Sequence, residues 1–446
     1  MEVGKVKVKY IRNGLYLSLL VLIIIGLIAQ PFVVQAKSSV DITSESAILV
    51  DADTGKIIYA KNSDMALPPA SMTKMMTEYL VWEAIESGEI DWDTTTQISD
   101  YPYNLSANTN FSGIGLTQNK DYTVKSLYEA MAINSDNGTT IALAELIAGS
   151  EGEFVKMMND KAEEMGLPDY KFVNSTGLDN ESLGDNRPEG TDKNGSNLLS
   201  ARSAALLAYH LIKDYPEALE ISSIPETEFD QQTIRNYNWM VDPDNSVYYE
   251  GIDGLKTGNT ELAGYTFTGT AEVDNKRLIT VIMKADSEEH RFNETADLLD
   301  YGFENLETVE LFPASYQLED ELTLPVAKGK EKTVEIATSE GFTLPILDGE
   351  EEQYEIKYHI DEDKFNDQNE LVAPIEKGDK VGTAELVYTG ENDFGYINGD
   401  EEVTVDLVTT ENVEKDNWFM IMLGAIGSFF ANVFSVIVET VKGWFS

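Results

Sequence analysis

The amino-acid sequence predicts a mixed α/β domain, an antiparallel sheet with a helical cluster against it, followed by a small all-β domain. Strand-like runs open the first domain and return near its end, with helical periodicity between them. Near Thr308 the texture changes, and short strands then alternate with Gly, Asp, Asn and Pro.

Ser46 to Tyr59 reads as a hairpin, two apolar runs meeting at Asp53-Thr54-Gly55. Pro68-Pro69 stops the extended chain, and Ser71 opens a helical pattern that ends at Gly88. Asp121 to Ala132 is a second helical stretch, broken by Ile133 to Asn137; Thr139 to Gly149 and Phe154 to Gly166 follow. Asn174 to Asn197 is a polar loop of 24 residues, a length that inside a domain usually frames a site. Ser200 to Asp214 is again helical. Leu255–Thr257, Gly264–Ala271 and Arg277–Ala285 read as strands, the last two joined by a turn at Asp274-Asn275, and Asn293 to Gly302 as a closing helix.

The two ends place the chain. Lys5, Lys7, Lys9 and Arg12 precede an apolar run from Leu15 to Ala29, and Val34-Gln35-Ala36 suits a signal peptidase, so 1–36 is expected to be a cleaved secretory leader. Near the other end, 417–438 is 22 residues without a formal charge, about 33 Å as a helix and close to the thickness of a bilayer core. Trp418 and Trp444 flank it. The domains expected are therefore 37–307, catalytic, 308–410, β-rich, and 411–446, a membrane-anchoring helix that meets lipid through 417–438.

Composition excludes several classes of function. The chain has no cysteine, so thiolate chemistry and disulfides are out. Its three histidines, His210, His290 and His359, stand in no metal-ligand spacing, so a zinc hydrolase is not expected, nor any metal or other cofactor. The formal charge of −47 repels nucleic acid and anionic headgroups.

Three short strings carry the chemistry: Ser71-Met72-Thr73-Lys74, Ser135-Asp136-Asn137 and Lys256-Thr257-Gly258. Each alone is common; the ordered set marks a serine acyl-transfer site that needs no Ser-His-Asp triad. Ser71 and Lys74, three apart on a helix, share a face. Ser71 is the expected nucleophile and gains from the helix dipole. Lys74 is the expected general base, which requires burial or a nearby cation to lower its pKa, and Lys256 is the natural second cation. Ser135 can relay a proton to the leaving amine, Asn137 can position Lys74 and bind the substrate amide, and Asp136 points away and braces the turn. Gly258 lets a substrate backbone lie alongside the strand. Lys256 and Thr257 can bind a terminal carboxylate, and the N–H groups of Asn259 and Ser71 can form an oxyanion hole.

These strings, 64 and 121 residues apart, resemble those of the low-molecular-weight penicillin-binding proteins, the D-alanyl-D-alanine carboxypeptidase group of serine peptidases. Ala47-Ile48-Leu49-Val50-Asp51-Ala52, Pro69-Ala70, Gly254-Leu255 and Ala263-Gly264-Tyr265 have the family look, and the resemblance covers about 40–305. It implies a β-lactamase/transpeptidase-like domain at the extracytoplasmic face of a bacterial membrane. It also implies removal of the terminal D-alanine from peptidoglycan stem peptides ending in D-Ala-D-Ala, through an acyl-enzyme on Ser71, with β-lactam antibiotics as inhibitors. The chain departs from the pattern at Asn259, where the family often has His, and at Ser203, where it commonly has Asp. Two other readings exist. A class A β-lactamase would need a deacylating glutamate, and Glu181 and Glu189 lack its sequence context. A non-catalytic envelope protein could bind stem peptides through the same groove.

Overall fold

The structure is a computed structural model and describes residues 40–319, 323–390, 393–399, 403–417 and 422. The expected leader at 1–36 lies outside them, as does the expected anchor at 417–438 apart from Asn417 and Met422. Among the described residues no helix is long and apolar enough to cross a membrane.

The first domain is built on a five-stranded antiparallel sheet. Its strands are β1 (Ser46–Asp51), β2 (Ile57–Lys61), β3 (Ile252–Thr260), β4 (Gly264–Val273) and β5 (Lys276–Ala285), in the spatial order β2-β1-β5-β4-β3. The chain leaves after the first hairpin, folds its helices and returns to close the sheet, with Ser46 opposite Met283 and Asp51 opposite Leu278. The apolar run from Leu278 to Met283 is buried at every position because the sheet is covered on both faces. Ile279, Val281 and Met283 face the helical cluster, while Leu278 approaches Gly302 on the closing helix behind the sheet.

The cluster contains α1 (Lys74–Glu86), α2 (Asp100–Ser106), α3 (Val124–Asn134), α4 (Asn137–Ala148), α5 (Glu151–Glu164) and α6 (Ala201–Asp214); α7 (Glu288–Asn305) is the closing helix. Side-chain caps set several starts: Thr123, Asp136, Ser150, Ser200 and Ser287 each accept from the backbone three residues on. These caps move some boundaries from those read in the sequence. Asp121–Thr123 is a short strand paired with Thr95–Gln97, not the first turn of a helix. Helix α7 begins five residues earlier than the apolar pattern suggests, at Glu288 behind the Ser287 cap.

From Leu306 to Thr409 the described residues are β-rich, with two short 3-10 turns at Glu351–Gln353 and Glu362–Lys364. A six-stranded sheet contains Thr323–Ala327, Thr333–Thr338, Tyr354–Ile360, Leu371–Val372, Lys380–Tyr388 and Val403–Thr409, and Leu306–Phe312 pairs with Phe342–Leu347. Two apolar clusters form its interior, one around Val334, Ile336 and Leu407, the other around Phe342, Ile346 and Ile356. A loop of this region joins the hairpin of the first domain. Ile57 N donates to Gly395 O, Ile397 N donates to Gly55 O, and Ile397 is buried in the core of the helical cluster. Lys56 donates to Tyr354 Oη at 2.5 Å and to Pro345 O at 3.1 Å.

Candidate active site

Ser71 does not begin the α-helix itself. It lies in a 3-10 turn, Ala70–Thr73, that leads into α1 at Lys74. Three residues per turn nearly eclipse positions i and i+3, which aligns Ser71 and Lys74 more directly than an α-helix would. Ala70, just before, takes φ 48°. This turn is stitched to the sheet: Thr266 Oγ1 donates to Pro69 O at 3.1 Å, and Thr268 Oγ1 to Met72 Sδ at 3.2 Å. On the edge strand β3, a Cβ on Gly258 would stand 2.6 Å from Pro69 O and 3.0 Å from Ser71 N. Only glycine fits that approach.

Lys74 is fully buried, with Nζ 3.0 Å from Ser71 Oγ, 2.8 Å from Asn137 Oδ1 and 2.8 Å from Thr176 O. The last two partners can only accept, so they take two N–H bonds. In the neutral amine the remaining lone pair then faces the Ser71 hydroxyl. Burial, and next the charge of Lys256, hold the Lys74 pKa well below the ordinary lysine range.

The second string is a helix junction, and Asn137 is the first residue of α4 rather than part of a free loop. Asp136 caps that helix through Thr139 N and accepts from Ile114 N at 2.8 Å, so it braces the turn. Asn137 Nδ2 donates to Ser112 O at 3.0 Å; its amide N–H is therefore held by the protein, and its oxygen by Lys74. Ser135 takes φ 58°, is 3% exposed, and its Oγ has no hydrogen-bond partner among the described residues. A strained residue with an unpaired buried hydroxyl is a costly combination.

On β3, Lys256 is 2% exposed and donates to Thr257 O at 3.3 Å; Thr257 is also buried. Burial lowers the Lys256 pKa, as does Arg291, while Glu78 opposes them. Asn259 Nδ2 donates to Gly264 O at 3.2 Å across the β3–β4 turn. Ser203 is the residue that the Ser200 cap holds: its N–H donates to Ser200 Oγ, and its own Oγ accepts from Asp169 N. A carboxylate there could accept the same Asp169 N–H, which accounts for Asp and Ser as alternatives.

Several residues at the site carry no signal in the sequence. The Thr176 carbonyl is one. It is held by Asn174, whose Oδ1 accepts from Thr176 N, Thr176 Oγ1 and Gly177 N. Arg291 on α7 donates to Gly258 O at 3.0 Å from behind the sheet. Glu78, one turn after Lys74 and the exception, is 2% exposed beside the two lysines; it is a lone acid in the otherwise uncharged run Met75–Val81. Glu181 and Glu189 are exposed, so neither carboxylate stands where a buried deacylating base would. Among the described residues no group of three or more His, Cys, Asp or Glu side chains could hold a metal ion.

Comparison with known proteins agrees with this geometry. The sequence of residues 33–287 matches the family described as D-alanyl-D-alanine carboxypeptidase, and 306–415 matches the C-terminal domain of penicillin-binding protein 5. A D-alanyl-D-alanine carboxypeptidase of Bacillus subtilis, DacF, is 34% identical over 349 residues, which cover 78% of this chain and 82% of that one. The crystal structure of a peptidoglycan synthesis regulatory factor of Streptococcus pneumoniae is 37% identical with a TM-score of 0.64, over 83% of this chain and 99% of the other. Penicillin-binding protein D2 of Listeria monocytogenes, solved with cefotaxime bound, is 31% identical with a TM-score of 0.51, over 60% of this chain and 99% of its own. With its three strings on one edge of the sheet and a family match over most of its length, the chain belongs to the D-alanyl-D-alanine carboxypeptidase family of serine peptidases.

Proposed function

We propose that this serine D-alanyl-D-alanine carboxypeptidase acts on peptidoglycan stem peptides ending in D-Ala-D-Ala, with Ser71 as nucleophile and Lys74 as general base. The observation that carries the assignment is the Lys74 amine, held by two acceptors and 3.0 Å from Ser71 Oγ. Ser71 Oγ attacks the carbonyl carbon of the penultimate D-alanine as its proton passes to Lys74 Nζ. The N–H groups of Ser71 and Asn259 take the oxyanion. Lys256 and Thr257 bind the terminal carboxylate. The C–N bond then breaks, and Ser135 relays a proton to the departing amine. Water, deprotonated in turn by Lys74, frees the acyl group and restores Ser71. Asn137 keeps Lys74 in place throughout.

β-Lactams would enter the same groove and acylate Ser71, a reading supported by the cefotaxime held in the Listeria relative. We place the catalytic domain at 37–307 and the β domain at 308–410. A leader at 1–36 and an anchoring helix in 411–446 would put the enzyme on the extracytoplasmic face of the cell membrane, lipid meeting 417–438. The support for that placement is the composition of both ends and the match to the C-terminal domain of penicillin-binding protein 5.

The test is the intact mass of residues 37–410 with penicillin, wild type beside Ser71→Ala, together with release of D-alanine from a D-Ala-D-Ala peptide. An adduct and D-alanine release from wild type alone are expected. Rapid drug loss without an adduct would point to a β-lactamase, and neither adduct nor turnover to a binding protein.

A further inference from the structure

The site buries three cationic side chains: Lys74 at 0%, Lys256 at 2% and Arg291 at 2% exposure. A buried cation must be neutralised or matched. Arg291 has its own partner, Glu288, at 3.0 Å. Of the buried acids around Lys74, Asp136 is occupied by two backbone N–H groups and Glu151 Oε1 by the N–H and hydroxyl of Ser175, while Glu151 Oε2 has no partner among the described residues. Glu78 differs. Its one hydrogen bond among the described residues comes from Tyr128 Oη to Oε2, at 3.2 Å. Trp82 Nε1, which can only donate, in turn gives its proton to Tyr128 Oη at 2.8 Å. The phenol is thereby aimed at the carboxyl, and the relay Trp82–Tyr128–Glu78 is arranged for an acceptor at its end. Lys256, by contrast, has one weak carbonyl contact at 3.3 Å and no carboxylate within ion-pair distance among the described residues.

We propose that Glu78 is a positioning residue for the acyl-transfer reaction, the buried counter-charge that keeps Lys256 protonated for the substrate carboxylate and steadies the second cation formed when Lys74 takes the Ser71 proton. The groups that face it are Lys74 on its own helix, Lys256 on β3 and Tyr128 on α3, with Arg291 on α7 beyond Lys256, and Asp136 and Glu151 on the far side of Lys74. Glu78 is the acid that bears most on Lys256, and it also bears on Lys74. Burial raises the carboxyl's own pKa, against Lys256, the Tyr128 hydrogen bond and Lys74, so its charge depends on the lysines as theirs depends on it.

The inference rests on the acyl-transfer roles given to Ser71, Lys74 and Lys256. The experiment is the pH profile of penicillin acylation and of D-Ala-D-Ala peptide turnover for wild type, Glu78→Gln and Glu78→Asp. Glutamine keeps an acceptor for Tyr128 and removes only the charge. Both limbs of the profile should move to lower pH, the alkaline one by about one unit or more. On that limb KM should rise about tenfold at a pH where wild type is unaffected, the plateau kcat should fall because the Lys74 cation has lost its counter-charge, and Glu78→Asp should recover part of both changes. A merely structural role would lower thermal stability and leave the limbs in place, and that result overturns the inference while the nucleophile assignment stands. Wild type that is not acylated at Ser71 overturns both. Should Glu78→Gln not fold, carbon-13 NMR of the glutamate carboxyls in wild type and Lys256→Met decides: the Glu78 titration should rise by about one unit or more without Lys256, and an unmoved titration refutes the pairing.

Discussion

Asn197 Nδ2 donates to Thr73 Oγ1 at 2.9 Å, tying the far end of a 24-residue polar loop to the residue before Lys74. Asn197 Oδ1 also accepts from Val173 N and Asn174 N, and Asn174 Nδ2 donates to Asn180 Oδ1. Three buried asparagines, one of them opening the short helix Asn180–Leu183, thus knit the loop together and hold Thr176 O against Lys74.

Asn197→Ala would leave Thr73 Oγ1 and two buried backbone N–H groups unpaired, at about 1–3 kcal/mol for each group left without a partner. Acylation should slow as Thr176 O loosens from Lys74, while Ser71 stays modifiable at high drug concentration. Urea unfolding and acylation kinetics on the same protein check this; full activity with unchanged stability would show that the knot does not support the base.

Ser135 pairs strain with need. A non-glycine residue at φ 58° costs about 1 kcal/mol or more. Ser135→Gly should therefore hold or raise the melting temperature while acylation falls by about 10²–10⁴, the usual contribution of a proton-transfer group. Retained acylation would remove Ser135 from the proton path.

Burial lowers the Lys74 pKa, so acylation should rise with pH and level off well below pH 10.5. Stability follows the same linkage. Between the lowered folded value and about 10.5 the unfolded chain binds more protons, so the cost of burying Lys74 is complete below the folded pKa and disappears as pH rises through that window. The unfolding free energy of wild type, relative to Lys74→Met, should increase with pH across it. Matched urea titrations from pH 6 upward measure the difference, and a flat difference would contradict the lowered pKa.

Ile397, from the β region, is buried at 3% in the core of the first domain. Ile397→Ala should cost about 2–5 kcal/mol and loosen the pairing of Gly395–Ile397 with the Gly55–Ile57 edge. Hydrogen exchange at Ile57 N and Ile397 N reports on that pairing directly; protection equal to wild type would mean the loop is held by other contacts.

Much of this enzyme was legible in its residues. Short-range physics, the apolar run Leu278–Met283 and helical spacing in Val124–Asn134, sufficed for the fold class, and the types and order of Ser71, Lys74, Ser135, Asn137 and Lys256 for a candidate site. Those signals depend on neighbours along the chain, so a single sequence displays them. Boundaries were less visible, because a cap such as Ser287 counts only once its helix exists. What the tertiary structure alone decided is which polar groups lose their water. Asn174, Asn180 and Asn197 read as turn formers until they are buried against one another. Glu78, Lys74 and Lys256 have ordinary chemistry until three separate elements close over them. Desolvation is a property of the assembled fold, and it lowers the pKa of an otherwise ordinary lysine.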